Sequence, residues 1–577
     1  MKIKNIYISS LLLVASLVGT TGCNDFLERD LQGSSDEGQT ISPDNVDNLV
    51  IAAYAHMVSG EDMNSPFSLW PYGNVRADDA YKGGANSEDG SHFHFLEIAT
   101  GMTTDNWAFD DIWYRLYSGV ARANAALKSL DGMDANTYPQ KNERIGEMRF
   151  LRGHYMFLLK VMFKHIVYVD ETIPTSDYTK ISNRQYTNDQ LWQRIADDFK
   201  FAYDHLPDTQ VEKGRPTQAA ASAYLAKVML YKAYRQNEKN EVIEINEEDL
   251  KAVITYTDNA IMTAGGFGLE EDFAYNFLPQ YENGKESIWA VQYSQDDNTM
   301  YGNLNFGNEL TAPQFFGCCD FQKPSQNLVN AFRTENGRPM FDTYNEKDNY
   351  DMQGNYDPRL FHTVAIPGFP YKYNVNYIFD KTWTRNEQEY YGLYSSLKEN
   401  VDPDCSCLKK VNSPFVANSM NRIVLRYADV VLMRAEALIQ LNRLSEALPL
   451  VNEIRNRAAR STTLVFDYGA SFKVEPYTMA EWTDRDIAMR DLKWERRLEL
   501  ALEGSRFFDL VRWGDAAKVM NQYYASEASR RSYYSDANFT AGKNEYLPIP
   551  QGMEFGPLEV HFTVDGELLT VTGVCRR

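Results

Sequence analysis

"WERRLELALEGSRFFDLVRW", Trp494–Trp513, alternates charge with apolar bulk so closely that its reading decides the fold. Glu495, Glu499 and Glu503 recur at intervals of four, which places them on one face of a helix. Leu498, Ala501 and Leu502 mark an adjoining apolar face, Gly504 stops the helix, and Arg506, Asp509 and Arg512 open another turn. Two chemistries fit this pattern. A glycosidase needs two carboxylates facing each other across a cleft, roughly 5 to 9.5 Å apart. Carboxylates on one helix face beside arginines are instead held ionised, which is wrong for a general acid and right for a clamp. An acidic stripe followed by an arginine-rich turn is expected to fold back on itself in bidentate pairs. The stretch therefore predicts a structural ion-pair network of Glu495, Arg496, Glu499, Glu503, Arg506 and Asp509, with no catalytic residue.

Working outward, helical stripes dominate. Upstream, Ala428, Val431, Leu432, Ala435 and Ile439 form one face, "LNRLS" turns the chain, and Ser445 caps a second helix whose face is Leu448, Val451, Ile454 and Ala458. Small residues on two short facing helices are what close hairpin packing needs. Near the start, Ser42 caps and Pro43 opens a helix carrying Val46, Leu49, Val50, Ala53, Tyr54 and Met57. Further stripes follow around Trp113–Leu127, Ile145–Leu159, Leu191–Ala202, Ala219–Leu230 and Val253–Ala260. The pattern is loosely tetratricopeptide-like. The expected fold is mostly α, with helix pairs stacked as a superhelical wall because no hairpin can bury its face alone. Residues 268–413 break the pattern. They are dense in Tyr, Asn, Gly, Asp and Pro, with strand-like runs such as "SIWAVQYS" and "RLFHTVAI", and predict an irregular excursion packed on the wall. The helical parts of this one domain, 41–577, are then 41–267 and 414–577.

Charge and termini narrow the function. A formal charge of −22 over 577 residues excludes a nucleic-acid partner and adhesion to an anionic bilayer through protein charge. Lys2 and Lys4 precede an apolar run from Ile6 to Val18, then "LVGTTGC" brings small residues up to Cys23. This resembles a bacterial lipobox: residues 1–22 are a signal peptide, Cys23 the lipidated residue and 23–40 a polar leader. Each buried CH₂ contributes ~0.8 kcal/mol, so two or three acyl chains anchor the chain to a membrane. The other cysteines are Cys318, Cys319, Cys405, Cys407 and Cys575, an odd number, so at least one stays unpaired or pairs outside. Pairing among them is open, and their spacing lacks the two intervening residues usual in zinc sites. His92 and His94 in "SHFHF" would share one face of a strand but lack a third ligand. No metal or cofactor is assigned.

"LRYADVVLMRAEALIQLNRLSEALPLVNEIRNRA", "ERRLELALEGSRFFDLVRWG" and "NEYLPIP" together resemble the C-terminal signature of the SusD/RagB family. "CNDFLE", "NVRADDAYKGG", "EMRFLRGHYMFLLKVMF", "GRPTQAAASAYLAKVMLY", "ESIWAVQYS", "CCDFQKPSQNLVNAF" and "YDPRL" extend the resemblance, in order, over most of the mature chain. "KHIVYVD" replaces the family's usual Gly-Asp-x-Pro after the third helix. The resemblance implies a non-enzymatic lipoprotein of the outer membrane, facing the cell exterior. It would bind oligosaccharide or polysaccharide and deliver it to a SusC-like TonB-dependent transporter. A peptide-binding member of the same family is the alternative, and a glycoside hydrolase the remote one. Sugars offer apolar faces for aromatic stacking and hydroxyls for amides and acids. Drawn from the loop after the first helix and from the excursion, the implied ligand residues are Trp70, Tyr72, Asn74, Arg76, Asp78, Tyr81, Tyr293, Tyr301, Asn303, Phe306 and Trp383.

Overall fold

The computed structural model describes residues 42–58, 69–261, 266–298, 303–385 and 388–551, and the backbone of a hairpin at 558–564 and 567–573. The expected signal peptide, 1–22, Cys23 and the expected leader, together with Tyr301 and Cys575, lie outside the described residues.

The first half is a run of helices: α1 (Pro43–Val58), the short α2 (Ser91–Glu97), α3 (Trp107–Asp131), α4 (Lys141–Phe163), α5 (Asn188–His205), α6 (Gln218–Ala233) and α7 (Glu247–Ile261). The second half adds α8 (Tyr427–Gln440), α9 (Leu444–Arg460), α10 (Arg485–Leu500), α11 (Arg506–Trp513) and α12 (Ala516–Glu527). Local chemistry sets several ends. The Asn106 side chain caps α3, Thr187 and Gln190 close a capping box on α5, and Asp484 caps α10. Leu444 opens α9 one residue before the expected cap, so Ser445 lies inside the helix.

Packing runs along the chain. α3 lies on α4, α4 on α5, α5 on α6, α6 on α7, and α7 on α8, which in turn contacts α9 and α10. This is the stacked helix-pair wall of a tetratricopeptide-like fold. Alanines make close approach possible: Ala219, Ala220, Ala223 and Ala226 on α6 are all fully buried. Gly119 of α3 has no alternative either, because a Cβ there would sit 2.5 Å from the Tyr155 ring.

The excursion is anchored by short strands. Ser287–Val291 pairs antiparallel with Arg422–Arg426, joining the start of the excursion to its end. Ala80–Gly83 pairs antiparallel with Phe321–Pro324, so the loop after α1 and the excursion share a sheet. "RLFHTVAI" is only partly a strand: Leu360–Thr363 forms a helical turn before the two-residue strand Val364–Ala365. Disulfides join Cys318 to Cys319 and Cys405 to Cys407.

Candidate functional site

The charged stretch is interior. Glu495 and Glu499 are wholly buried on α10, and each meets arginines from elsewhere in the chain. Arg359 bridges Glu495 (2.6 Å) and Glu499 (2.8 Å), Arg455 reaches Glu495 at 2.9 Å, and Arg426 and Arg457 converge on Glu499. The helix ends at Leu500, so Glu503 hangs from the following turn, where Arg426 (2.8 Å) and Lys398 (2.6 Å) hold it. The expected fold-back is therefore corrected. Arg506 pairs with Asp78, 428 residues away, and Arg512 with Glu436. Within the stretch, Asp509 pairs with Arg496 across the turn at 2.9 Å and with Arg512 along α11 at 2.9 Å. Burial alone would raise the Glu499 carboxyl, but Arg457, Arg426 and Arg359 outweigh it and hold it well below the usual range. A sealed, ionised carboxylate cannot lend a proton to a leaving group, so Glu499 has neither the access nor the proton that a general acid needs.

The loop after α1 is interior as well, which corrects its assignment as a ligand shelf. Trp70 and Tyr72 start a π-helical turn, Trp70–Val75, and are 1% exposed. Trp70 packs edge-on against Phe93, and Tyr72 donates to the Ala108 carbonyl at 2.9 Å. Asn74 accepts from the Gly504 N–H at 2.8 Å. Gly73 must be glycine here, since a Cβ would lie 2.0 Å from the Gly504 carbonyl oxygen. Arg76 stacks on Phe507 and donates to the Asn544 carbonyl, while burial brings its guanidinium down to about 9. Asp78 takes both Arg506 and Arg497, and Tyr81 donates to Glu527 at 2.6 Å. Asn74, Arg76, Asp78 and Tyr81 tie the first loop to the C-terminal part of the chain, Trp70 and Tyr72 pack it on α2 and α3, and all six are buried.

Other candidates scatter. Tyr293 is half-buried, and its backbone N–H donates to Asn421. Asn303 lines an open groove of about 330 Å³ with Ile51, Tyr54 and Arg215. Phe306 is half-buried at the head of a 3-10 turn, Phe306–Thr311. Trp383 differs. It is itself 5% exposed, but Phe315 lies flat on it, ring centres 4.2 Å apart and planes within 10°, and Phe315 is 55% exposed. Tyr377 approaches the same pair edge-on at 6.1 Å, and its hydroxyl donates to Asp404 at 2.6 Å. Asn374 donates to Asp402 and Asp404 beside it.

From this pair a chain of contacts runs across the loop that follows Tyr81. Two residues past Trp383, Arg385 meets Asp89 at 3.2 Å. Two residues before Asp89, the Ser87 N–H donates to the Tyr390 hydroxyl, and Tyr390 stacks on Tyr533 at 5.2 Å and 16°. Tyr533 touches His94 of α2, and His92 on that helix meets the 44%-exposed Trp107 edge-on at 5.1 Å. "SHFHF" is thus a helix rather than a strand, with His94 turned inward to Glu97 and His92 half-buried among rings. The result is a band of two ring groups, Phe315, Trp383 and Tyr377 in one and Tyr390, Tyr533, His94, His92 and Trp107 in the other. They are joined through the Arg385–Asp89 pair and the Ser87–Tyr390 hydrogen bond, with carboxylates and amides beside the first. Such a band can hold a flat ligand that has one apolar face and a polar rim. Of its rings, sequence reasoning named only Trp383 as a site. Phe315 had one signal, the "PQFFG" run that puts two rings between a proline and a glycine; Trp107, Tyr390 and Tyr533 had none.

Residues 25–230 match the family model described as "Starch-binding associating with outer membrane", and 285–553 match that of the SusD family. SusD-like protein P25 of Formosa agariphila is 23% identical over 97% of this chain and 98% of its own length. A SusD-like protein of Bacteroides ovatus is 25% identical over 77% of this chain and 71% of its own. Among solved structures, a "Laminarin binding SusD-like protein" superposes with a TM-score of 0.62 at 22% identity, covering 88% of this chain and 96% of that one. Surface glycan-binding protein A from Bacteroides uniformis gives 0.64 at 21%, covering 89% and 97%.

Proposed function

Because the chain belongs to the SusD/RagB family, we propose that it is a cell-surface glycan-binding lipoprotein. Anchored through lipid on Cys23 and facing outward from the outer membrane, it captures oligosaccharide and delivers it to a SusC-like TonB-dependent transporter. One domain, 41–577, carries this role, with the helical wall as scaffold and the 268–413 excursion as the ligand-facing part. The observation that carries the reading is the aromatic band, in which Phe315 lies propped open on buried Trp383. Structural neighbours named for binding laminarin or surface glycans point the same way. The network around Glu499 supplies rigidity, not chemistry.

The test is titration of the purified protein with a polysaccharide panel, with Phe315→Ala and Tyr533→Ala as band variants. Binding to at least one glycan, lost in the double variant while the fold persists, supports the reading. Binding only to peptides would move the protein to the peptide-binding alternative. Delivery is tested separately: co-purification with a TonB-dependent transporter, and failure of a deletion strain to grow on the bound glycan.

A further inference from the structure

We infer that the glycan held on this band is uncharged: a neutral polysaccharide without sulfate or uronate groups along the stretch that lies on the rings. The inference rests on the glycan-binding reading above and concerns what the band refuses.

Recognition of a sulfate or carboxylate needs a cation free to turn toward it, and among the described residues the cations seen bonded along the band, Lys82 and Arg385, are committed. Lys82 is wholly buried, its ammonium donating to the carbonyls of Gly83 (2.9 Å), Asn86 (3.0 Å) and Asp89. Arg385 is paired with Asp89. Lys381 is exposed, and Asp380, whose carboxyl is held below its usual range first by hydrogen bonds from Thr382 and then by the Lys381 charge, offsets it in part. His92 is neutral at pH 7, because burial and then the Lys82 charge bring its imidazole down to about 4. What remains at the edge is acidic: exposed Asp105, Glu88, Asp380 and Asp404, with Asp402 half-exposed. Each acid acts weakly through solvent, but they add to the field of a chain of charge −22.

The carboxylates bonded to the band's own residues do not favour a basic peptide, although Asp105, Glu88 and Asp380 are exposed. Asp404 already accepts from Tyr377 and Asn374, and Asp89 already holds Arg385, so the carboxylates best placed to grip a cation are engaged. Ionised carboxylates with spare lone pairs do suit hydroxyl donors, which a neutral sugar supplies in quantity.

The experiment compares each member of a neutral panel (laminarin, starch, arabinoxylan, galactomannan) with its chemically sulfated derivative, at 50 and 500 mM NaCl. A lysine-rich peptide is run alongside. At least one neutral glycan should bind with a Kd that changes less than about twofold with salt, and sulfation should weaken it at least tenfold at low salt. Asp404→Lys should narrow that gap. Tighter binding of the sulfated form, weakened by salt, would overturn the inference and leave the glycan-binding reading standing. Binding of the peptide and of no glycan would overturn both.

Discussion

The α10–α11 network and the aromatic band use overlapping chemistry, carboxylates and guanidiniums beside rings, to opposite ends. In the network every carboxylate meets at least one guanidinium and little water. Glu499 is shared among Arg359, Arg426 and Arg457, and Glu436 accepts from Arg512, Tyr234 and Trp513. On the band, Phe315 keeps an open face and Asp404 remains exposed. The difference is how completely each group is satisfied. A saturated cluster has no capacity left for a ligand, whereas an unsaturated one has little hold on the fold. Buried ion pairs need not stabilise relative to an apolar core, but removing one partner strands the others.

The largest effect should therefore come from the network. Glu499→Ala leaves three buried guanidiniums short of a counter-charge and should cost about 3–5 kcal/mol, read as a lower denaturant midpoint. A loss below about 1 kcal/mol would break the contrast between the two regions. Next comes acid sensitivity of the interior. His154, caged by Tyr155, Tyr224 and Trp289, has its imidazole brought down to about 3, first by burial and then by the charges of Lys227 and Arg422. The unfolded chain takes up a proton near its ordinary value of about 6.5 and the folded chain does not. Stability is thus full above that value and falls as pH drops toward 3, by about 1.4 kcal/mol per pH unit for one such histidine. His154→Gln should flatten the slope between pH 6 and 4 by about one proton. An unchanged slope would mean that His154 already titrates normally in the fold.

The helical wall was legible because its signals are local. Spacing near 3.6, Pro43 at a first helical turn and small residues on α6 all act within a few turns of chain. The acidic stripe on α10 was legible too, but its partners were not. Arg359, Arg426, Arg455 and Arg457 lie 40 to 140 residues away, and nothing in their own neighbourhoods points to Glu495 or Glu499. The first loop misled for the same reason. Asn74, Asp78 and Tyr81 have the composition of a sugar shelf, and only partners more than 400 residues downstream, Gly504, Arg506 and Glu527, show that they face inward. The band joins residues as distant as Trp107 and Tyr533, a juxtaposition that tertiary folding alone creates.

Single-site changes at the band should reverse the pattern seen in the network. Phe315→Ala removes a ring already more than half in water, so stability should move by less than about 1 kcal/mol. Glycan affinity should fall about tenfold, the worth of one aromatic stacking contact. Trp383→Ala, by contrast, takes away the buried prop and should lower stability by about 3 kcal/mol or more as well as binding. Asp404→Asn is the smallest and most discriminating change. The amide oxygen can still accept from Tyr377, and only the long 3.4 Å bond from Asn374, which also donates to Asp402, is lost, so the loop should keep its shape, with stability within about 0.5 kcal/mol of the parent. A neutral ligand that donates hydroxyls to Asp404 loses only the charge-assisted part of one hydrogen bond, a drop of a few-fold in affinity. Isothermal titration with Asp404→Asn and Phe315→Ala side by side would rank the two contributions. Should the amide cost more than the ring, the edge rather than the aromatic face would be the seat of recognition.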